Sequence, residues 1–225
     1  MLKTGAETRI RKTVALSSSS SSTNNIALSK VKRETTAVYG LILLSLLSFV
    51  GDNVLRLLLF RRARFYLHHR HWHWWQLVTA TFCHADRAHL NGNLFLLLLF
   101  GRSVEDELGP AGLVCSYLFC GAVANAASLV ALPRHTVSLG ASGAVFGLFS
   151  ISIASRLTSW REALDWRNLI EVGVLGQFVA STFLSEVKIA AAGGMVGVNH
   201  VAHLSGAVAG IGMILVLRIL INIME

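Results

Sequence analysis

Residues 88–101, AHLNGNLFLLLLFG, combine a long apolar run with three polar side chains near its start, His89, Asn91 and Asn93. The run contains no Asp, Glu, Lys or Arg, and a helix that crosses a bilayer needs about 20 mostly apolar residues. Polar side chains inside such a helix are costly, and those retained there are candidates for function. The stretch therefore predicts a membrane-spanning helix that carries functional groups.

Five other runs lack the same four charged residue types and predict further membrane spans. Some are shorter than a span, but neighbouring residues extend them. The last run is longer than one span needs, and Gly193, Gly194 and Gly197 predict a loop before a helix that begins near His200. We predict an all-α membrane protein with a bundle of six transmembrane helices. The five runs are 37–51, 109–133, 135–155, 172–185 and 189–217.

The composition agrees with a membrane domain and argues against a soluble enzyme. Of the 225 residues, 53% are hydrophobic and only 14% are charged, whereas a soluble domain carries about 25% charged residues. Seven of the 20 basic residues lie in the first 35 positions, and most others lie in short loops, unlike the clustered face of a nucleic-acid-binding protein. We expect a lipid bilayer as a partner and no nucleic acid.

The first 35 residues form a separate region. They contain six consecutive serines, Ser17 to Ser22, seven basic residues and few acidic ones. This composition is typical of organelle transit peptides, and a disordered tail without a targeting role is the alternative. We therefore divide the chain into a tail at 1–35, which we predict to be a transit peptide, and a six-span membrane domain at 36–225.

A loop rich in histidine and tryptophan joins the first two predicted spans. Residues 68–75 contain four His and three Trp, and tryptophan favours the headgroup region of a bilayer. His68, His71 and His73 lack a compact ligand spacing with carboxylate support, and the three cysteines lack the spacing of a zinc site. We interpret the loop as an interfacial anchor and predict no metal site.

Polar groups open the second, fourth and sixth predicted spans. Since even-numbered spans all cross in the same direction, groups near their starts lie at similar depth on the same side. Ser142 precedes the GxxxG sequence 143–147, and His203 precedes the GxxxG sequence 206–210. Because small residues four apart let membrane helices approach closely, we predict that the fourth and sixth helices pack where this serine meets this histidine.

A serine becomes a useful nucleophile when a base such as imidazole takes its proton, and His203 can act as that base for Ser142. No Asp or Glu lies between Glu186 and Glu225, so the sequence predicts a Ser-His dyad without an orienting carboxylate. His89 and Asn93, four residues apart, share a helix face and are plausible donors to an oxyanion. Backbone N–H groups at the start of the fourth helix would add to this site.

Residues 65–217 contain a series of motifs that resembles the rhomboid family of intramembrane serine proteases. The motifs are WQLVTATFCH at 75–84, HLNGN at 89–93, Gly101 with Val104-Glu105, GASGA at 140–144 and AHLSG at 202–206. By this resemblance Ser142 is the nucleophile, His203 is the base, and His89 and Asn93 lie on the oxyanion side. His84 matches a further family histidine near the site, and Gly140 begins the motif that supports the nucleophile.

Two positions depart from common family patterns. Gln76 stands where the family often has Arg, and Glu107 stands where it often has Arg after an acidic residue. These are loop-structuring positions, so they bear on loop conformation and substrate preference. The segments HWHWWQ and CHADRAHL, with the serine-rich leader, look most like plastid-type rhomboids. We expect a multi-pass protein of the chloroplast envelope, with the mitochondrial inner membrane as the alternative.

The sequence thus predicts a serine-type endopeptidase that cleaves transmembrane segments of membrane proteins and needs no cofactor. Two alternatives remain open: a non-catalytic rhomboid-like protein that binds membrane proteins for quality control, and a small transporter. Retention of both Ser142 and His203 favours the protease. A zinc intramembrane protease is disfavoured because the chain has no HExxH sequence.

Overall fold

A computed structural model describes residues 36–55, 62–158, 173, 176, 177, 180, 181, 184 and 200–224, and these residues are mostly helical. α1 is Ala37–Phe49, and a π-helical turn, Val50–Val54, continues it. Then follow α2 (Arg62–Phe65), β1 (Leu67–His68), α3 (Gln76–Thr79) with a 3-10 turn (Ala80–Phe82), α4 (Arg87–Ala131), β2 (Val137–Ser138), α5 (Ser142–Thr158) and α6 (His200–Met224).

The helices confirm that the chain is a membrane protein rich in apolar helices. Ala37–Val54, α4 and α6 are each long and apolar enough to cross a membrane, and Ser142–Ser155 forms a shorter apolar helix. The predicted fifth span at 172–185 lies outside the described residues, apart from six positions that are helical. The described helices agree with the predicted spans, except that the run 135–155 contains β2 and becomes helical only at Ser142. The total of six remains a prediction.

α4 contains two of the predicted spans, joined at Gly109. A straight helix of its 45 residues would be about 68 Å long, more than twice the roughly 30 Å of a bilayer core. Gly109 leaves the helical conformation with φ 78° and ψ 175°, a region that favours glycine. Pro110 follows and begins the second half, where the first turn of a helix accommodates proline.

The core lies where α4 meets α1, α5 and α6. Its largest fully buried side chains include Leu97, Leu113, Tyr117, Leu148 and Ile151. Outward faces are also apolar, as in α6, where Leu204, Val208, Ile211 and Leu215 are exposed. Such large exposed apolar surface is expected where helices face lipid rather than water.

The start of α1 is held by a carboxylate that is distant in sequence. Glu105 accepts hydrogen bonds from the backbone N–H groups of Thr36 at 2.9 Å, Ala37 at 2.8 Å and Val38 at 3.1 Å. The first N–H groups of a helix lack carbonyl partners one turn earlier, so Glu105 satisfies groups that would otherwise stay unpaired. Glu107, the second of the two departures noted in the sequence, is exposed on the same helix, α4.

Candidate active site

α5 and α6 are in backbone contact along a line of four glycines, which we call the glycine seam: Gly143, Gly147, Gly206 and Gly210. A β-carbon at Gly206 would overlap the carbonyl group of Gly143, and one at Gly147 would lie 3.0 Å from the carbonyl oxygen of Gly206. This arrangement confirms that the two GxxxG sequences bring these helices together. Only glycine permits this approach, since any side chain would separate the backbones.

The glycine seam brings the start of α5 beside the first turn of α6. α5 begins at Ser142, and a β-carbon on the next residue, Gly143, would lie 3.2 Å from the carbonyl oxygen of Ala202. His203 is buried and stacks on Phe146, with ring centroids 4.4 Å apart and planes 5° from parallel. Because Phe146 lies one turn after Ser142, both share the helix face that His203 contacts.

His89 lies against the segment that leads into α5. Gly140 has φ 122°, and a β-carbon there would lie 2.7 Å from Cε1 and Nε2 of the His89 ring. Glycine is therefore required at this position for two reasons, its backbone conformation and the space that the imidazole occupies. The backbone N–H of Gly140 donates to the carbonyl of Ala80 at 2.9 Å, which fixes the segment from the other side.

His84 lies in the connection before α4, next to His89. The two rings meet edge to face with centroids 5.2 Å apart. His84 is 1% exposed, and neither of its ring nitrogens has a hydrogen-bond partner among the described residues. Burial first, and then the neighbouring His89, lower the pKa of His84 to about 4. Its imidazole is therefore neutral at pH 7.

Asn93 lies one turn after His89 and is buried. Its Nδ2 donates to the backbone carbonyl of His89 at 3.0 Å. An amide carries two N–H donors, so this bond within α4 uses one of them. Asn91, the third polar side chain near the start of this helix, is exposed.

Comparison with known proteins gives the family. The model of the rhomboid domain family matches residues 71–219. The chain belongs to the rhomboid family. It is 42% identical over 193 residues to rhomboid-like protein 11, chloroplastic, of Arabidopsis thaliana, an alignment that covers 82% of this chain and 66% of the relative.

Two further relatives are more distant. The putative rhomboid protease YdcA of Bacillus subtilis is 30% identical over 61% of this chain and 64% of its own length. RHOMBOID-like protein 6, mitochondrial, of Arabidopsis thaliana is 30% identical over 64% of this chain and 44% of its own length. The chain thus spans about two thirds of the first relative and less of the other two.

In this rhomboid, α4 has an N-terminal cap that was not predicted from the sequence. Asp86 accepts a hydrogen bond from the backbone N–H of His89 at 2.8 Å and caps α4. The bond orients the turn from which the His89 ring projects. An Asp directly before a long apolar helix is a common capping signal, so the sequence contained enough information to find it.

Gln76 is one of the residues that organise the first loop of this rhomboid, by which we mean the described residues 62–86 before α4. The side chain is buried, accepts from the N–H of His73 at 3.1 Å and donates to the carbonyl of Arg64 at 3.3 Å. The glutamine thus connects two parts of the loop. Asn125 of α4 adds a hydrogen bond to the carbonyl of Leu77 at 2.8 Å.

The aromatic part of the same loop is exposed. Trp74 is 72% exposed and Trp72 is 49% exposed, and His73 stacks on Trp75 with centroids 4.4 Å apart. Exposed indole rings fit the predicted interfacial anchor. Among the residues that the structure describes, no three His, Cys, Asp or Glu side chains form a group able to hold a metal ion.

Proposed function

We propose that the chain is an intramembrane serine endopeptidase that cleaves transmembrane segments, with Ser142 as nucleophile and His203 as general base. The observation that carries the proposal is the contact across the glycine seam, where His203 stacks on Phe146 one turn from Ser142. Membership of the rhomboid family supports the same reaction class.

The bond-making and proton-transfer steps use these two side chains and water. His203 takes the proton of the Ser142 hydroxyl as its oxygen attacks the scissile carbonyl, and His203 then returns the proton to the leaving amine. Water hydrolyses the resulting acyl-enzyme. An intact substrate helix protects its carbonyls with its own hydrogen bonds, so we expect cleavage at a stretch that unwinds easily.

The oxyanion formed during attack needs hydrogen-bond donors. Backbone N–H groups at the start of α5 lie beside the nucleophile and suit an anion. The His89 ring contacts Gly140 just before this helix, and we propose that it donates to the oxyanion, with Asn93 as a second donor through its remaining N–H. His84 supports His89 through their edge-to-face contact.

We further propose that residues 1–35 direct the protein to a plastid, where it spans the envelope membrane. The serine-rich, acid-poor composition supports this location, as does similarity to a chloroplastic rhomboid-like protein. Fusing these residues to a fluorescent protein tests the proposal in plant cells. Accumulation in plastids is expected, and a reporter that stays cytosolic or enters mitochondria would contradict it.

Cleavage of a model transmembrane substrate in liposomes tests the catalytic proposal. Ser142→Ala and His203→Ala should each reduce turnover by about 1,000-fold or more, because members of one nucleophile–base unit fail together. Ser116→Ala is a matched control, since Ser116 is buried in α4 and its hydroxyl donates to the carbonyl of Gly112 in the same helix. Turnover by Ser142→Ala would contradict the proposal, and substrate binding without cleavage by the wild type would favour the non-catalytic alternative.

A further inference from the structure

The segment before the nucleophile is attached to the first loop by a short antiparallel ladder. β1 pairs with β2, with Leu67 opposite Ser138 and His68 opposite Val137. The N–H of His69 extends the ladder by donating to the carbonyl of Thr136 at 3.2 Å. Two-residue strands alone are weak, so the ladder needs additional support to hold β2 in one position.

His69 supplies that support through its side chain. Its Nε2 lies 2.9 Å from the hydroxyl oxygen of Ser138, and both residues are buried. The bond joins positions that are 69 residues apart in sequence. Since a buried imidazole that loses its partner is costly to accommodate, the pairing selects one register between the first loop and β2.

β2 leads directly into the candidate active site. Ser138 lies two residues before Gly140, which contacts His89, and four residues before Ser142. The segment is therefore held by the ladder, by the His69 side chain and by the bond from Gly140 to the Ala80 carbonyl. A displacement at Ser138 would pass along four residues to the nucleophile.

We propose that His69 is a positioning residue for the protease reaction, acting through Ser138 to fix the segment that leads from β2 through Gly140 to Ser142. The inference rests on the proposed function and assigns a role to a histidine of the loop that the dyad chemistry does not use. The expected effect is on the chemical step, because a misplaced nucleophile slows attack more than it weakens binding.

The test compares His69→Ala, His69→Gln, Ser138→Ala and the double alanine variant in liposomes with a model transmembrane substrate. Each rate is divided by the amount of enzyme that a fluorophosphonate has labelled when the labelling reaction is complete. This normalisation excludes misfolded enzyme from the comparison. His69→Ala should lower kcat about tenfold with KM changed less than twofold. Ser138→Ala should act similarly, and the double variant should be no slower than the slower single variant.

His69→Gln retains a hydrogen-bonding side chain and should recover part of the lost kcat. His71→Ala is the matched control, because His71 is an exposed histidine of the same loop, and it should match the wild type. A kcat for His69→Ala equal to that of His71→Ala, or additive effects in the double variant, would overturn the positioning role while leaving the protease intact. A wild-type chain that is neither labelled nor active would instead overturn the proposed function and the role together.

Discussion

The glycine seam and the first loop position different parts of the candidate site by different physical means. Along the glycine seam, α5 and α6 approach because side chains are absent, and backbone meets backbone at Gly143 and Gly206. In the first loop, specific polar pairs such as His69 with Ser138 hold the chain. The difference indicates that added volume should damage the first region, whereas lost hydrogen bonds or protonation should damage the second.

The largest expected effect comes from adding one methyl group to the glycine seam. In Gly206→Ala the new β-carbon would meet the carbonyl group of Gly143, which cannot rotate away. We expect a loss of about 3 kcal/mol in the free energy of unfolding, with loss of activity, measured by thermal unfolding in detergent and by substrate cleavage.

Gly212 of the same helix provides the control for this prediction. A β-carbon there has no heavy atom within 4 Å, so Gly212→Ala should keep activity and lose no stability. If Gly206→Ala and Gly212→Ala behave alike, close backbone contact does not hold the two helices together.

Acidification should act on the loop side of the site. Burial lowers the pKa of His84 from 6.5 to about 4 despite the opposing influence of Asp86 and the Phe82 carbonyl. As the pH falls, the His84 imidazole therefore takes up a proton in the unfolded chain before it does so in the folded chain. The stability that the neutral, buried ring contributes is complete above pH 6.5 and is lost between pH 6.5 and about 4. The difference between the two pKa values corresponds to a loss of roughly 3 kcal/mol in the free energy of unfolding, as an upper bound.

Melting temperatures measured from pH 8 to pH 4 test this expectation. The wild type should lose stability below pH 6.5, and His84→Gln should lose less because it has no imidazole to protonate at that site. His71→Gln, which removes an exposed histidine, should keep the wild-type slope. A His84→Gln curve parallel to that of the wild type would show that this buried histidine is not responsible.

The smallest effect is expected at the cap of α4. Asp86→Ala removes the acceptor for the N–H of His89 and should cost about 1 kcal/mol in the free energy of unfolding. Asp86→Ser retains a capping oxygen and should recover most of the loss, and Asp106→Ala, at an exposed position within α4, should have little effect. Equal melting temperatures for the serine and alanine variants would rule out a capping role.

The glycine seam was predictable because its signal is local in sequence. Each GxxxG lies within one helix, and together the two sequences predict the close approach of α5 and α6 that the structure shows. The break at Gly109 was likewise marked by Pro110. These features follow from patterns a few residues long, so one sequence is enough to read them.

The hydrogen bonds between distant segments were not predictable in the same way. Glu105 caps α1 from 69 positions away, and His69 meets Ser138 over the same separation. Nothing in the residues near either partner identifies the other, because the pairing exists only after the helices pack. Gly140 shows both cases. The sequence GASGA was enough to identify its motif, whereas its contact with His89 is seen only in the folded chain.

We propose that packing at the glycine seam makes Ser142 and His203 one reacting unit. The decisive experiment labels the intact chain in liposomes with a fluorophosphonate and maps the modified residue by peptide analysis. One adduct on Ser142 is expected, formed at a rate that falls by about 1,000-fold or more in His203→Ala. An adduct on another serine, or undiminished labelling of Ser142 without His203, would contradict it.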